Sequence, residues 1–297
     1  MTPPLLIASR LLAALASAAA SPDIIRAQYV MGTVCEISAY GPAAPSAAAQ
    51  ALAEIARWDS VLSLYQEQSE ASRLNRLAGD GPFAASQPLW EAVSESLRMA
   101  RSTGGAFDPT VLPLMRRQAG AEALVGHEKV RLEPGRRIRF TKPGMGLDFG
   151  GIGKGLALDR AAALLRNKGV TAAMINFGGQ IYALGAPPGA GGWQARISGL
   201  DETIWLKDAS ISTSGQSEKP GHIVSPFTGR PVAGRQVSVI LPSAAEADAW
   251  STALFVLGRE PESFSGCSLF LGGPPPDSRR CRPYLMPSHA HSHGGSR

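Results

Sequence analysis

The sequence predicts an α+β fold, and three observations support this class. Apolar residues recur with helical spacing in four segments, which predicts amphipathic helices. Other segments alternate with a period of two or form short apolar runs, which is typical of strands. The two kinds of segment do not alternate strictly, as a doubly wound parallel sheet would require. With 297 residues and no short-period repeat, the chain is long enough for one large domain or two small ones.

The N-terminal half predicts one strand and two helices. Residues 29–40 alternate in hydrophobicity, and residues 46–64 carry an apolar stripe with helical spacing. Ser86 is expected to cap a second helix, which ends at the glycine pair 104–105. Residues 69–75 are polar and are expected to connect the two helices. The expected buried face of the strand consists of Met31, Thr33, Cys35, Ile37 and Ala39.

The C-terminal half predicts a glycine-rich loop, its helix, several short strands and a final helix. The helix after the loop is expected to stop at Gly169. The final helix is expected to begin at Ser243, run through Val256 and end at Gly258. Beyond it, residues 265–297 are rich in Gly, Pro, Ser and His and predict a divergent, flexible tail. The expected strands are residues 170–177, 181–184, 193–197, 204–206 and 237–241.

Composition excludes several classes of protein. Hydrophobic residues make up 44% of the chain and charged residues 18%, which favours a packed core over disorder. The net charge of +5 is scattered, and no aromatic residues interleave with basic clusters, so nucleic-acid binding is disfavoured. The three cysteines form no Cys-x-x-Cys motif, which disfavours a zinc or thioredoxin-type site. A Cys267–Cys281 disulfide is an option if the chain is exported, and the sequence alone leaves it open.

The N-terminal residues 1–21 predict a signal peptide. Arg10 precedes the apolar run 11–16, and small residues follow as far as Ala20, where cleavage is expected. The apolar run is too short to span a bilayer. The alternative interpretation is an alanine-rich N-terminal helix. The signal peptide predicts a periplasmic or otherwise exported protein, with association with the inner membrane as a further option.

The most informative segment is residues 147–160, LDFGGIGKGLALDR, which precede and begin a predicted helix. Four glycines in six positions allow close approach of a ligand, and a helix N-terminus presents unpaired N–H groups to an anion. A phosphate or pyrophosphate site is therefore predicted, with a tight turn as the alternative. Asp148 and Gly155 occupy positions where a Walker A loop needs Gly and Ser or Thr. Leu156 replaces the third glycine of a dinucleotide-binding motif.

Two further groups of residues suggest a metal site and a base. Asp248 and Thr252 lie four residues apart and share one face of the final helix, next to Ser251. Their oxygen atoms are the ligands that magnesium prefers, although a surface Asp–Thr pair is the alternative. His222 could accept a proton from a hydroxyl that attacks phosphorus. A structural histidine is the alternative interpretation of His222.

Together these segments resemble the FAD:protein FMN transferases, the ApbE-type flavin transferases. The resemblance spans about residues 31–258. Each motif alone is weak, but their common order is specific. The motifs are MGT at 31–33, SLY at 63–65, SRLN at 72–75, GAFDPTV at 105–111, the segment 148–159, NFGG at 176–179, STSG at 212–215, HIVSP at 222–226, TG at 228–229, and the segment 247–258.

The resemblance implies a fold, a reaction and a set of site residues. The fold would be ApbE-like, with two related T-fold-like halves in one compact unit over residues 22–264. The enzyme would use magnesium, cleave FAD, attach FMN through its phosphate to a Thr or Ser hydroxyl of a target redox protein, and release AMP. The acceptor would be a subunit of a membrane redox complex. The implied FAD-site residues are Met31, Tyr65, Ala106, Phe107, Asp108, Asp148, Lys154 and Ile223. The implied metal ligands are Gly151, through its carbonyl, and Asp248, Ser251 and Thr252, with His222 as the base.

The sequence departs from the family pattern at three positions. Ser225 replaces an acid, Gln180 stands where Asp or Asn is common, and Gly153 stands where Ala is frequent. Two alternative functions therefore remain open. One is a magnesium-dependent FAD pyrophosphatase that produces FMN and AMP, and the other is an exported, non-catalytic FAD-binding protein.

Overall fold

The computed structural model describes residues 21–77, 79–199, 203–215, 221–271 and 278–285. The helices are α1 (Ala44–Leu62), α2 (Glu70–Leu77), α3 (Gln87–Ser102), α4 (Leu112–Met115), α5 (Gly153–Asn167), α6 (Ala244–Leu257) and α7 (Ser278–Cys281). The strands are β1 (Ile24–Val30), β2 (Thr33–Tyr40), β3 (Phe83–Ala84), β4 (Val130–Glu133), β5 (Arg137–Phe140), β6 (Ala172–Phe177), β7 (Gln180–Leu184), β8 (Trp193–Arg196), β9 (Thr203–Leu206), β10 (Ala209–Ser214), β11 (Gln236–Leu241) and β12 (Cys267–Leu271). The predicted mixture of helices and strands is confirmed.

Among the described residues, the main sheet has seven strands in the order β1-β2-β6-β7-β10-β11-β12. Every neighbouring pair in it is antiparallel. The pairing of β2 with β6 joins segments far apart in the chain, since Cys35 lies opposite Phe177 and Tyr40 opposite Ala172. Smaller sheets are formed by β3-β5-β4 and by β8-β9.

Apolar residues fill both sides of the main sheet. One side packs against α1, α5 and α6, and its core includes Trp58, Phe177 and Phe255, which are fully buried. The other side carries a smaller cluster that includes Trp193 and Ile204 of the β8–β9 sheet. Because α5 packs against both α1 and α6, the two long helices fix the position of the segment that precedes α5.

The predicted single strand 29–40 is wrong, because the structure forms a hairpin there. Met31 and Gly32 form a two-residue turn between β1 and β2, both with positive φ, and the Met31 N–H donates to Asp59 Oδ2 at 3.1 Å. Such turns need left-handed residues at both central positions, which glycine adopts without strain. The expected buried positions Cys35 and Ile37 of β2 are fully buried.

The helices with strong local signals agree with the prediction. Ser86 caps α3 by accepting a hydrogen bond from the Leu89 N–H, and Ser243 caps α6 by accepting one from the Glu246 N–H. Gly258 ends α6 in a left-handed conformation. The polar connection expected at 69–75 is instead largely helix α2, which buries only Ala71 and Leu74. So short an apolar face gives almost no periodic signal.

The predicted C-terminal tail is wrong for residues 267–271, which form the edge strand β12 against β11. Cys267 and Leu269 of this strand are buried, which explains why the segment is ordered into the sheet. A disulfide joins Cys267 to Cys281 of α7. The remaining tail residues 272–277 and 286–297 lie outside the described residues, as do residues 1–20 of the predicted signal peptide. None of the helices in the described ranges has the length and apolar character needed to cross a membrane.

Loss of the disulfide is expected to destabilise the protein. Cys267→Ser combined with Cys281→Ser removes a cross-link over a sequence separation of 14 residues, which should lower the free energy of unfolding by about 3 kcal/mol. Urea denaturation measures the change. Reductant should shift the wild-type midpoint in the same direction and leave the double variant unaffected. The Cys35→Ala variant is the control for the effect of reductant, because Cys35 is a free, buried thiol and its removal leaves the disulfide in place. An unchanged midpoint in the double variant would contradict the prediction.

Candidate active site

The glycine-rich loop meets the final helix at two points. At Gly151, an added Cβ would lie 2.8 Å from Thr252 Oγ1 and 3.3 Å from a ring carbon of Phe107. At Gly155, an added Cβ would lie 2.3 Å from the Ala244 carbonyl oxygen. No side chain fits at Gly155, so the backbones of α5 and α6 approach each other there as closely as glycine permits.

The predicted metal ligands come together at this contact. The Gly155 N–H donates to Asp248 Oδ2 at 3.2 Å, and Ser212 Oγ donates to Asp248 Oδ1 at 3.2 Å. Ser251 Oγ lies 2.9 Å from Ser214 Oγ and donates to the Asp248 carbonyl oxygen at 2.8 Å. The oxygen atoms of α6 therefore face both the loop and the hydroxyls of β10.

Burial dominates the electrostatics of Asp248. Burial raises the pKa of this carboxyl above its ordinary value, and three features oppose the shift. In order of size they are the positive charge of Lys154, the Gly155 N–H and the Ser212 hydroxyl. A buried carboxylate next to a lysine and hydroxyl oxygens gains when a cation binds, because the cation replaces the lost hydration.

The donor set fits a hard divalent cation. In the described ranges no three His, Cys, Asp or Glu side chains form a metal-binding group, so a softer metal has no cluster of nitrogen or sulfur ligands here. Magnesium typically binds to one or two carboxylates together with substrate phosphates. Asp248, the Thr252 hydroxyl and backbone oxygens near Gly151 and Ser251 supply such a sparse set.

Asp148 lies at the start of the loop, where two backbone hydrogen bonds hold it. Its N–H donates to the Pro109 carbonyl at 2.7 Å, and its Oδ1 accepts from the Gly150 N–H at 2.8 Å. Burial raises the pKa of the Asp148 carboxyl, whereas the Gly150 N–H, Arg116 and His222 lower it.

His222 begins a hairpin-like segment, residues 222–232. The Val232 N–H donates to the Ile223 carbonyl, and the Ser225 N–H donates to the Arg230 carbonyl. His222 is exposed, whereas Ile223 is buried and packs into the core. The segment therefore has a buried anchor directly after its exposed histidine.

Asp108 has a structural environment that the sequence does not reveal. Its Oδ1 accepts from the N–H and hydroxyl of Thr110, and its Oδ2 accepts from the His127 N–H and lies 3.2 Å from His127 Nδ1. The carboxylate thus ties residues 108–110 to the 3-10 turn His127–Lys129. Ala106 and Phe107 are buried beside it. Direct FAD contact by Asp108 stays a prediction.

Met31 and Tyr65 are less closely tied to the loop. Met31 lies in the β1–β2 turn, and Tyr65 follows α1 with 92% of its surface exposed. Leu62, near the end of α1, lies 3.6 Å from the position of an added Cβ on Gly153. Tyr65 is therefore three residues from a direct contact with the start of α5, and its role in FAD binding stays a prediction.

Several residues at the site had no assigned role in the sequence analysis. Asn75 makes two hydrogen bonds of 2.8 Å with the backbone N–H and carbonyl of Leu147, next to Asp148. Ser212 and Ser214 contact the α6 donors, and Arg116 acts on Asp148. Asn75 and Ser212 belong to motifs of the resemblance, but only the three-dimensional contacts show what they bind.

Comparison with known proteins agrees with this geometry. The profile of the ApbE family matches residues 31–263. The chain belongs to the ApbE family. A relative from Klebsiella pneumoniae (strain 342), named FAD:protein FMN transferase, is 28% identical over 270 residues, covering 77% of each chain. Another of the same name from Vibrio cholerae serotype O1 is 31% identical over 233 residues, covering 67% of this chain and 70% of its own.

Solved structures of ApbE proteins share the fold. The flavin transferase ApbE from Vibrio cholerae superposes with a TM-score of 0.72 at 28% identity, covering 80% of this chain and 87% of that one. The apo flavinyl transferase ApbE from Pseudomonas stutzeri gives a TM-score of 0.73 at 25% identity, covering 82% and 90%. The predicted ApbE-like fold is confirmed.

The close approach at Gly155 generates a stability prediction. Gly155→Ala should force α5 and α6 apart, break the Gly155–Asp248 hydrogen bond and lower the free energy of unfolding by about 1–3 kcal/mol. The matched control is Gly153→Ala on the same helix, where the nearest atoms lie 3.6 Å away and Ala should be tolerated. Urea denaturation compares the two. Equal stability of the two variants would refute the proposed steric constraint.

Proposed function

We propose that this ApbE-family protein is a magnesium-dependent FAD:protein FMN transferase. It cleaves the pyrophosphate of FAD, attaches FMN to a Thr or Ser hydroxyl of an acceptor protein and releases AMP. One observation carries the proposal: the Asp248 carboxylate accepts a hydrogen bond from the Gly155 N–H in the first turn of α5, directly after the glycine-rich loop. The oxygen donors of α6 therefore lie beside the helix N-terminus that can bind a phosphate.

The residues of the site have two proposed roles, which are binding of FAD and neutralisation of its charge. The α5 N-terminus and Lys154 would bind the FAD phosphates, and Asp248, Ser251, Thr252 and the Gly151 carbonyl would bind magnesium. The cation supplies positive charge that stabilises the transferring phosphoryl group and the departing AMP. Asp148, at the start of the loop, would line the FAD site.

His222 is the proposed base. It is exposed at the start of the 222–232 segment, so an acceptor hydroxyl can reach it. The hydroxyl would lose its proton to the imidazole, its oxygen would bond to the FMN phosphorus, and the bond from phosphorus to the bridging oxygen would break. That oxygen leaves with AMP.

The acceptor is proposed to be a redox protein outside the cytoplasm, as a subunit of a membrane redox complex. The predicted signal peptide points to export. The Cys267–Cys281 disulfide supports the same location independently, because disulfides persist in oxidising compartments such as the periplasm.

Hydrolysis of FAD is the competing function. His222 is exposed, so water could take the place of the acceptor hydroxyl and yield FMN and AMP. A non-catalytic carrier role would gain support from Ser225, which is buried and supplies no carboxylate where the family has an acid.

One experiment distinguishes these functions. The purified chain is incubated with FAD and Mg²⁺, with and without a threonine-containing acceptor domain, and AMP and in-gel flavin fluorescence are measured. The transferase proposal requires a fluorescent acceptor band that disappears with EDTA. AMP and FMN without a labelled band would indicate a pyrophosphatase, and intact bound FAD would indicate a carrier.

Asp248→Ala is expected to abolish magnesium-dependent turnover and to retain measurable FAD binding. The variant removes the one carboxylate of the proposed metal site, whereas Lys154 and the loop remain. Turnover is followed by AMP release across a Mg²⁺ titration, and FAD binding by fluorescence quenching. Glu246→Gln is the control, because Glu246 lies on the same helix and pairs with Arg98 at the surface. Wild-type turnover in Asp248→Ala would contradict the assignment of Asp248 as a metal ligand.

His222→Ala is expected to slow FMN transfer by about 10²–10⁴-fold with little change in FAD affinity, because general base catalysis contributes a factor of that size. Single-turnover labelling of the acceptor measures the rate, and equilibrium titration measures FAD affinity. The adjacent Ile223→Val substitution tests whether a mild disturbance of the segment has the same effect. Equal losses in rate and affinity in His222→Ala would make His222 a binding residue.

A further inference from the structure

The N-terminus of α6 is bound by two side chains that come from other elements. Asp159 lies on α5 and Gln180 lies at the start of β7, and both reach the peptide groups of Ala244. The proposed mechanism assigns no role to either residue. They are far apart in sequence from α6, but they meet where α6 begins.

Asp159 caps α6 from outside the helix. Its Oδ1 accepts from the Ala244 N–H at 2.7 Å, and its Oδ2 accepts from the Ala245 N–H at 3.0 Å and from Ser243 Oγ at 2.8 Å. A helix begins with N–H groups that have no partner within the helix, and a negative charge there also interacts favourably with the helix dipole. Ser243 caps the Glu246 N–H, and Asp159 pairs the Ala244 and Ala245 N–H groups, so Asp159 completes the cap and also connects α5 to α6.

Gln180 hydrogen-bonds to the carbonyl group of Ala244, whereas Asp159 bonds to its N–H. Gln180 Nε2 donates to the Ala244 carbonyl oxygen at 2.9 Å, and only 2% of the residue is exposed. Its Oε1 is buried and has no hydrogen-bond partner among the described residues. An unpaired buried acceptor is unfavourable, so the amide is not explained by stability alone. Its one hydrogen bond fixes the Ala244 carbonyl.

Ala244, to which both side chains bond, lies where the backbones of α5 and α6 approach each other closely. The Ala244 carbonyl oxygen lies so close to Gly155 that a Cβ added there would be 2.3 Å from it, so Ala244 has little room to move towards α5. Displacement away from it is opposed by Asp159 and Gln180. Asp248, Ser251 and Thr252 follow four, seven and eight residues later, on the same face of the helix. The position of Ala244 therefore sets the position of all three oxygen donors.

We propose that Asp159 and Gln180 are positioning residues for the metal site. Together with Gly155 they fix the start of α6, and through it the distance between the α6 oxygen donors and the glycine-rich loop. The role in metal binding rests on the proposed function, whereas the fixing of α6 follows from the contacts themselves. Neither residue is proposed to touch the metal or FAD.

The test uses Asp159→Ala, Asp159→Asn and Gln180→Met in the full chain. Asn keeps one acceptor oxygen and should restore part of the cap, and Met fills the space of Gln without its donor. The control is Arg160→Ala, next to Asp159 on α5, which removes a partly exposed ion pair with Glu91. Two quantities are measured: Mn²⁺ affinity in the presence of FAD, by electron paramagnetic resonance of free Mn²⁺, and hydrogen exchange of the α6 amides.

Asp159→Ala should weaken Mn²⁺ binding by about 10–100-fold, as is typical when a residue that orients metal ligands is lost. Amide exchange over residues 244–252 should increase. Gln180→Met should change both quantities in the same direction, Asp159→Asn should lie between Asp159→Ala and wild type, and Arg160→Ala should match wild type. A lower melting temperature with unchanged Mn²⁺ affinity would make the two residues merely structural and overturn the proposal.

The outcome separates this inference from the proposed function. If the wild-type chain binds no Mn²⁺ and releases no AMP, the proposed function fails, and so does the metal-positioning role. Increased exchange at 244–252 in Asp159→Ala would still show that the contacts fix α6. Wild-type exchange in that variant would refute even this part.

Discussion

The structure of the candidate site depends on one close contact between backbones, that of Gly155 with Ala244. The contact allows a backbone N–H of α5 to reach the Asp248 carboxylate, which lies one turn into α6. A side chain at Gly155 would separate α5, whose N-terminus is proposed to bind phosphate, from α6, which carries the oxygen donors. The absence of a Cβ at this one position thus brings the proposed phosphate-binding helix N-terminus next to the proposed metal ligands.

Hydrogen bonds near this contact stabilise two buried carboxylates, those of Asp248 and Asp159. Asp248 and Asp159 both have carboxyl pKa values raised by burial, and both receive backbone and hydroxyl hydrogen bonds that oppose the shift. The two carboxylates differ in what surrounds them. Asp159 has its hydrogen bonds from the start of α6, whereas Asp248 lies beside Lys154 and the loop, where a cation and a phosphate would add to the balance.

Local signals in the sequence predict much of the fold, and long-range contacts account for what is missed. Ser86, Ser243 and Gly258 mark helix ends through hydrogen bonds within a few residues, so they are visible in the sequence. The spacing of Asp248 and Thr252 likewise predicts a shared face. The contact of Gln180 with Ala244 joins residues 64 positions apart, and no local pattern encodes it. The prediction of a flexible tail was wrong for residues 267–271 because β12 is held in the sheet by pairing with β11, which the composition of the segment does not reveal. The roles of Met31, Tyr65 and Ile223 in FAD binding stay predictions.

The pairing of β2 with β6 has a consequence for the time course of folding. Between these neighbouring strands the chain forms α1 to α5 and the glycine-rich loop. A sheet in which two neighbouring strands close so long a loop must lose much chain entropy before it gains contacts, which slows folding. The glycine-rich loop and α5 lie within the segment that this pairing closes. We therefore expect the glycine-rich segment to become ordered together with the β2–β6 pair, as one cooperative step, rather than as a late addition to a finished scaffold.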